Sequence, residues 1–152
     1  MQDVEQFVTA ARAFLAFTHT AAALDLDLRL RRGRDRLLAL YTAATALPSA
    51  IDVGADRTDA KRATTAVTPV DFDKDDFYYE VFDPYVEGEL VVGSLADDFG
   101  DIARDLEAGM AYWDSGDLKN AIWEWSFNFD AHWGDHAVDA LRALHRACNP
   151  NR

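Results

Sequence analysis

The strongest constraint on the fold is a pair of apolar stripes that a short D-S-G-D turn connects near the C-terminus. Each stripe repeats every three to four residues, which is the spacing of one helix face. The first stripe comprises Leu95, Phe99, Ile102, Leu106, Met110 and Trp113, and the second comprises Leu118, Ile122, Trp125, Phe129 and Trp133. Ser94 and Asp97 have the form of a capping box at the start of the first stripe. The pattern predicts two consecutive helices, over about 94–114 and 117–133.

The second of these helices has an alternative interpretation as a strand. Its aromatic residues alternate in W-E-W-S-F-N-F, which is the period of a strand. Trp123 and Phe127 instead fit a second stripe on the opposite side of a helix, and a helix with two apolar sides is expected to be buried on both. The helix is favoured, and Gly134 is predicted to be a joint to a last helix over about 135–148.

Small and aromatic residues favour a close approach of the predicted helix pair. They have the spacing found in a tetratricopeptide unit and are Gly109, Tyr112, Gly116, Ala121 and Trp125. A single match does not build a peptide-binding array, because at least three repeats are usually needed for stability. The spacing therefore predicts a tight helix hairpin and is a poor argument for peptide binding.

The N-terminal half predicts two further amphipathic helices, over about 3–24 and 28–47, with Pro48 ending the second. Residues 49–93 lack a helical period and are predicted to be irregular, with a possible short helix over 75–82. An extended conformation of F-Y-Y-E-V-F is a close alternative. A chain of 152 residues is expected to form one domain. The predicted fold is an all-α, single-domain bundle of about five helices with a long irregular segment between helices two and three.

The charge balance limits the partners that we expect. The chain has 27 acidic and 15 basic residues, a net charge of −12. An acidic surface repels phosphate backbones and anionic membranes, so nucleic acid and membrane partners are not expected. Cys148 is the only cysteine, and the acidic N-terminus has no apolar run typical of a signal peptide. These features predict a cytoplasmic protein.

Three carboxylates form a possible cation site on the first of the paired helices. Asp98, Asp101 and Asp105 are three and four residues apart and share one strip of a helix. Such an aspartate strip suits Mg²⁺, which binds one or two carboxylates and keeps several waters. The alternative is a solvated helix flank with acidic residues near the helix N-terminus.

Two histidines offer a second possible metal site. His132 and His136 are four residues apart in H-W-G-D-H, and imidazoles at that spacing on one helix can share a zinc or iron ion. No glutamate follows the first histidine, so the metalloprotease motif is absent. A joint site for a divalent metal requires the histidines to face the aspartate strip, which depends on whether the two helices are neighbours.

Five arginines form a basic segment in this acidic chain. The arginine cluster comprises Arg29, Arg31, Arg32, Arg34 and Arg36. It is a candidate surface for an acidic protein partner or for a second copy of the chain. The alternative is a solvated helix end.

The C-terminal half resembles a bacterial family. The resemblance rests on Y-Y-E-V-F-D-P-Y, on S-L-A-D-D-F-G-D-I-A-R-D-L-E-A-G-M-A-Y-W and on A-I-W-E-W-S-F-N-F-D-A-H-W-G-D-H-A-V-D-A-L-R-A-L-H. Over about 77–145, the chain is similar to domain of unknown function number 5063. Four aspartates, Asp97, Asp98, Asp101 and Asp105, and the Trp133-Gly134 pair match the family pattern. The resemblance implies no activity.

Two functions of different classes follow from these features. The favoured hypothesis is a non-catalytic binding or interaction protein that recognises an unidentified protein or small molecule and has no resident cofactor. The alternative is a hydrolase of a small phosphorylated substrate that depends on Mg²⁺ or another metal. In that case the aspartate strip would hold the metal, with His132 or His136 as base. No Gly-rich phosphate loop or serine-hydrolase motif is found in the sequence.

Overall fold

A computed structural model describes residues 1–54 and 67–149, and its main elements are helices. The long helices are α1 (Gln2–Thr20), α2 (Leu26–Ala44), α4 (Leu95–Asp114), α5 (Leu118–Asn128) and α6 (Gly134–Ala147). A single-turn helix, α3 (Ala50–Val53), and a hairpin of β1 (Phe77–Val81) and β2 (Leu90–Ser94) lie between them. The predicted helical-bundle class is confirmed. Within the described ranges, none of the helices has the length and apolar character needed to cross a membrane.

The core lies where α4 meets the other helices. Helix α4 packs against α1, α5 and α6, while α2 packs against α1 and α6. The largest fully buried side chains are Trp125, Trp133, Phe7, Phe14, Phe72 and Phe99. Burial of each such apolar side chain contributes about 1.5–3 kcal/mol. Of the described helices, α4 has the most buried residues, including the fully buried Leu95, Ile102 and Leu106.

The tight approach of α4 and α5 is confirmed. Trp125 covers Gly109, and a Cβ atom at Gly109 would lie 2.0 Å from Trp125 Nε1. The same Nε1 donates a hydrogen bond of 3.1 Å to the backbone oxygen of Leu106. Glycine is therefore needed at position 109 for the indole to reach the backbone of α4.

The prediction of a possible short helix over 75–82 is wrong, because Phe77–Val81 forms strand β1. It pairs antiparallel with β2 in a register that places Tyr79 opposite Val92. Aromatic and β-branched side chains favour this extended pairing. Asp76 fixes the strand to the start of α4, since its side chain accepts hydrogen bonds from Ser94 Oγ (3.0 Å) and from the backbone N–H of Ala96 (2.8 Å).

The segment over 49–93 is thus more structured than predicted. It contains α3, a single turn of 3₁₀ helix (Asp73–Asp75) and the hairpin. Residues 55–66, which the same prediction covers, lie outside the described residues.

The last helix begins close to the predicted position, at Gly134, but the predicted break there is wrong, because the chain stays helical from α5 to α6 through a π-helical turn, Phe129–Trp133. The N–H of Gly134 bonds the backbone oxygen of Phe129, five residues earlier. A Cβ atom at Gly134 would lie 2.4 Å from that oxygen, so glycine permits the wide turn. The turn adds one residue, which rotates the faces after it by about 100° relative to those before it.

The prediction that the segment over 117–133 is buried on both sides is also wrong. Trp125 and Trp133 are fully buried, as the main stripe requires. Phe127 is 43% exposed and stacks on Trp123 with ring centroids 4.8 Å apart. The second aromatic stripe therefore lies at the surface. The first helix is shorter than predicted, since α1 ends at Thr20 and a 3₁₀ turn (Ala21–Ala23) follows.

Candidate metal centre

The fold brings the aspartate strip of α4 against both histidines. His132 lies in the π-helical turn and His136 in the first turns of α6, and both elements pack on α4. The Nδ1 atom of His132 is 2.6 Å from Asp105 Oδ2. The Nδ1 atom of His136 is 2.8 Å from Asp98 Oδ1. Two histidine–aspartate pairs therefore lie side by side, with the imidazole centroids 5.0 Å apart.

Both paired carboxylates are buried. Asp98 is 4% exposed and Asp105 is 1% exposed, and they are the charged members of a small buried polar set in the described ranges. A buried carboxylate is costly unless hydrogen bonds and a nearby positive charge compensate it. The solvated-flank interpretation of the aspartate strip therefore fails for these two residues, whose packing depends on the histidines.

Tyr78 of β1 completes the surroundings of Asp98. Its hydroxyl donates a 2.6 Å hydrogen bond to Asp98 Oδ2, while His136 contacts the other oxygen. Burial and then the hydrogen bond to Asp98 raise the pKa of Tyr78, so it remains a neutral donor. Sequence reasoning missed Tyr78, because it lies 20 residues before Asp98 in a segment predicted to be irregular.

Asp101 supplies a third group to the histidine pair. One ligand atom from each of Asp101, His132 and His136 lies within 4.8 Å of the others. The Oδ2 atom of Asp101 is 3.8 Å from His136 Nε2. Two ligands on a tetrahedral zinc ion lie about 3.4 Å apart, so small side-chain rotations would close this set around an ion.

The Nδ1 contacts determine which imidazole atoms face Asp101. When Nδ1–H donates to a carboxylate, Nε2 keeps its lone pair for a metal. We infer this tautomer for both histidines from the positions of Asp98 and Asp105. The pairs thus orient the rings as the carboxylate–histidine partners of known metal sites do.

Arg104 and solvent border the cluster. The Arg104 guanidinium contacts Asp101 Oδ1, the carboxylate oxygen opposite the one that faces His136. The His132 side chain is 44% exposed and that of His136 is 35% exposed. The cluster is therefore accessible from one side, while its supporting carboxylates are buried on the other.

The electrostatics of the metal-free cluster favour a protonated His136. The hydrogen bond to Asp98 raises the pKa of His136, although partial burial acts in the opposite direction. A metal ion at Nε2 would have to compete with that proton.

The arginine cluster is largely engaged by its own chain. Arg29 donates to the backbone oxygens of Ala21 (3.0 Å), Leu24 (2.7 Å) and Asp71. Arg31 pairs with Asp27 at 2.8 Å and Arg34 with Asp35 at 2.9 Å, on the same helix. Arg32 and Arg36 are exposed. The role of this surface in partner binding stays a prediction.

Comparisons with known proteins support the fold and give no activity. The chain is similar to the crystal structure of protein BF1032 from Bacteroides fragilis, with a TM-score of 0.77, 21% sequence identity, and coverage of 97% of this chain and 93% of that one. No curated protein matches the sequence. The family described as "Domain of unknown function (DUF5063)" matches residues 1–148, well beyond the 77–145 that carried the resemblance. The chain therefore belongs to the DUF5063 family.

Proposed function

We propose that this protein binds a divalent transition metal through Asp101, His132 and His136, as the centre of a metal-dependent hydrolase. One observation carries the proposal: both histidines turn Nδ1 toward a buried carboxylate, which leaves their Nε2 atoms for a shared ion near Asp101. In known metal sites, such outer carboxylates orient the histidine and raise its basicity.

The ligand atoms favour a transition metal over Mg²⁺. Mg²⁺ prefers oxygen ligands in octahedral geometry, whereas two imidazoles and a carboxylate suit Zn²⁺ or Fe²⁺. Asp98 and Asp105, which the Mg²⁺ hypothesis would use directly, contact the histidines instead. We therefore assign Asp101 as a direct ligand and the other two aspartates as its supports.

The number of ligands favours a catalytic centre. Structural zinc sites are closed by four protein ligands, whereas catalytic sites keep a position open for water or substrate. Among the described residues three ligands are available, and the histidine side of the cluster is exposed. A bound metal would supply Lewis-acid polarisation of a substrate oxygen and an acidified water.

The test is metal binding by protein purified without a metal-affinity tag. The protein would be stripped with chelator and then titrated with Zn²⁺, Co²⁺ and Mg²⁺ while thermal unfolding is followed. A metal at a hundred times its Kd adds about 2.7 kcal/mol to stability, so a clear rise in Tm is expected with Zn²⁺ and little with Mg²⁺. Co²⁺ should give the visible spectrum of a site with nitrogen ligands.

The matched variants each remove two histidines. The double variant His132→Ala/His136→Ala should lose Zn²⁺ binding. The control His19→Ala/His145→Ala removes two exposed histidines elsewhere and should retain it. Equal Zn²⁺ affinity in the two variants would exclude the proposed site.

The hydrolase activity needs a separate test, in which metal-loaded protein would be incubated with p-nitrophenyl phosphate and p-nitrophenyl acetate. Stoichiometric metal without turnover of either compound would count against hydrolysis of phosphate and simple carboxylic esters.

A second candidate, non-catalytic binding, draws support from the hairpin. Phe82 is 93% exposed and Tyr85 is 96% exposed, next to exposed apolar residues of β1 and β2. Exposed apolar patches often mark interaction surfaces. If a second copy covers this surface, sedimentation equilibrium should show a concentration-dependent dimer that Phe82→Ser/Tyr85→Ser abolishes. A monomer at all concentrations would exclude self-association through the hairpin.

A further inference from the structure

A groove of about 250 Å³ lies between β1 and α6, beside the candidate metal centre. Its lining includes Tyr78, whose hydroxyl bonds the same aspartate that contacts His136. It also includes Asp139 and Arg146, which follow His136 by three and ten residues. Those spacings place them on the His136 side of α6. The groove thus runs from the metal centre toward the C-terminal end of α6.

Three basic side chains line this groove in a chain of net charge −12. They are Lys74, Arg142 and Arg146, and none of them forms an ion pair with another residue of the described ranges. In contrast to Arg29, Arg31 and Arg34, they form no ion pair or side-chain hydrogen bond with another described residue, although the charge of Arg142 acts on Asp139 three residues earlier. Guanidinium groups bind phosphate oxygens in a bidentate manner, so an anion of that geometry complements the groove.

Exposed aromatic residues of β1 also line the groove. Phe77 is 73% exposed and Tyr79 is 70% exposed, on the strand that faces the arginines. Exposed rings beside cationic side chains suit a ligand that has an apolar or cyclic part as well as an anion.

Two carboxylates, Asp75 and Asp139, also line the groove and oppose an anion there. Burial, followed by the nearby charges of Glu80 and Asp98, raises the pKa of Asp139 to about 6, so it gives up its proton less readily than an ordinary aspartate. With three basic and two acidic side chains, the lining remains positive.

From this groove we propose the substrate class of the hydrolase: a small organic phosphate whose phosphate group binds at Lys74, Arg142 and Arg146, away from the metal. The proposal rests on the metal centre proposed above for its reaction. Arg142 follows His136 by six residues, about 9 Å along the helix axis, so the recognised phosphate is distinct from the bond that reacts at the metal. The phosphate thus positions the substrate.

The most discriminating test uses metal-free protein, because phosphate cannot then bind directly to a metal. With chelator present, phenyl phosphate would be titrated by calorimetry and compared with phenol, inorganic phosphate and benzoate. Phenyl phosphate should bind tightest, since it alone offers both a phosphate and a ring. Benzoate binding as tightly as phenyl phosphate would contradict a phosphate-selective subsite.

The variant Arg142→Gln/Arg146→Gln should weaken phenyl phosphate binding by roughly ten-fold or more, through the loss of charge-assisted hydrogen bonds. The matched control Arg32→Gln/Arg36→Gln makes the same charge change on α2 and should bind as the parent does. Unchanged binding in the first variant, equal loss in both, or no binding without metal would each overturn the subsite. Phenyl phosphate binding by a protein that takes up no Zn²⁺ would retain the subsite and reject the metal centre.

Discussion

The aspartate strip and the arginine cluster are both runs of like charge on one helix, yet the fold treats them differently. Asp98 and Asp105 are buried and contact histidines that are 38 and 27 residues away in the sequence. Arg31 and Arg34 stay at the surface and pair with aspartates four residues or one residue away. The two regions differ in the sequence separation between each charged side chain and its partner.

That difference has an energetic meaning. A local pair on an exposed helix face contributes little to stability, because solvent screens both charges, and the helix forms without it. A buried carboxylate that depends on a distant imidazole ties the geometry of the site to the whole bundle. A buried charged side chain whose partner is distant in the sequence is therefore a better indicator of a site than a high density of like charges.

The largest effect is expected from a change in the helix that carries the histidines. In Gly134→Ala the new Cβ would approach the Phe129 oxygen, so the π-helical turn must shift. Overpacking of this kind costs about 1–3 kcal/mol, and Zn²⁺ binding should fall with it because His132 moves relative to Asp105. Urea unfolding and Zn²⁺ titration measure the two effects. Gly88→Ala, in an open part of the chain, is the control, and a Gly134→Ala variant as stable as that control would show that the wide turn does not require glycine.

Removal of one supporting charge should affect the metal more than the fold. Asp105→Asn keeps the shape of the side chain but lets an amide N–H face His132 Nδ1, which favours the wrong tautomer. Loss of such an outer partner typically costs 10- to 100-fold in metal affinity, and we expect Zn²⁺ affinity to fall within that range. Asp27→Asn, which affects only the exposed pair with Arg31, should leave Zn²⁺ affinity unchanged. Parental affinity in Asp105→Asn would remove Asp105 from the centre.

Within the arginine cluster, Arg29 and Arg31 should differ in their effect on stability. Arg29→Ala removes donors to the oxygens of Ala21, Leu24 and Asp71, which connect α1, α2 and the segment before β1. We expect a loss of about 1–2 kcal/mol from these charge-assisted hydrogen bonds. Arg31→Ala should leave the stability close to that of the parent, because its pair with Asp27 is solvent-exposed. Chemical unfolding of both variants measures the two stability losses. Equal stabilities would show that the contacts of Arg29 contribute no more than the local pair of Arg31.

The smallest effect concerns the pH dependence of the metal-free protein. The folded-state pKa of His136 is raised by Asp98, with further contributions from Glu80 and Asp135. Its stabilising contribution is complete below the unfolded-state pKa of about 6.5 and is lost as pH rises through the folded-state pKa. The stability of the parent relative to His136→Gln should therefore decline above about pH 6.5. A difference that does not vary between pH 5 and pH 9 would contradict the ion pair.

Helical periodicity was sufficient to predict the bundle, because each apolar stripe reports only the local geometry of one helix. The hairpin was harder to predict, since F-Y-Y-E-V-F supports a helix or a strand until it pairs with β2. The assumption that a second aromatic stripe is buried placed Phe127 inside, whereas it lies at the surface of α5, before the π-helical turn begins. The π-helical turn itself keeps the chain helical where a break was expected at Gly134.

The candidate site was predictable in its residues and not in its arrangement. The aspartate strip and the histidine pair follow from local spacing, but no spacing tells that α6 lies on α4. Tyr78 acquires its role only through a tertiary contact with Asp98, whereas Arg104 contacts Asp101 three residues earlier on the same helix. Arg142 and Arg146 have no local signal at all, since a basic residue on a surface helix is ordinary.

The π-helical turn also has a consequence for how the family should be aligned and altered. The turn contains one residue more than the same length of α-helix would. The side-chain faces of α5 and α6 are therefore rotated relative to each other, although the two helices are continuous. Deletion of the exposed Ala131 would restore an uninterrupted α-helix and rotate every following side chain by about 100° relative to α5. His136 would then leave Asp98, and Arg142 and Arg146 would leave the groove together. A single-residue gap in this turn therefore distinguishes relatives that keep the site from those that keep only the bundle.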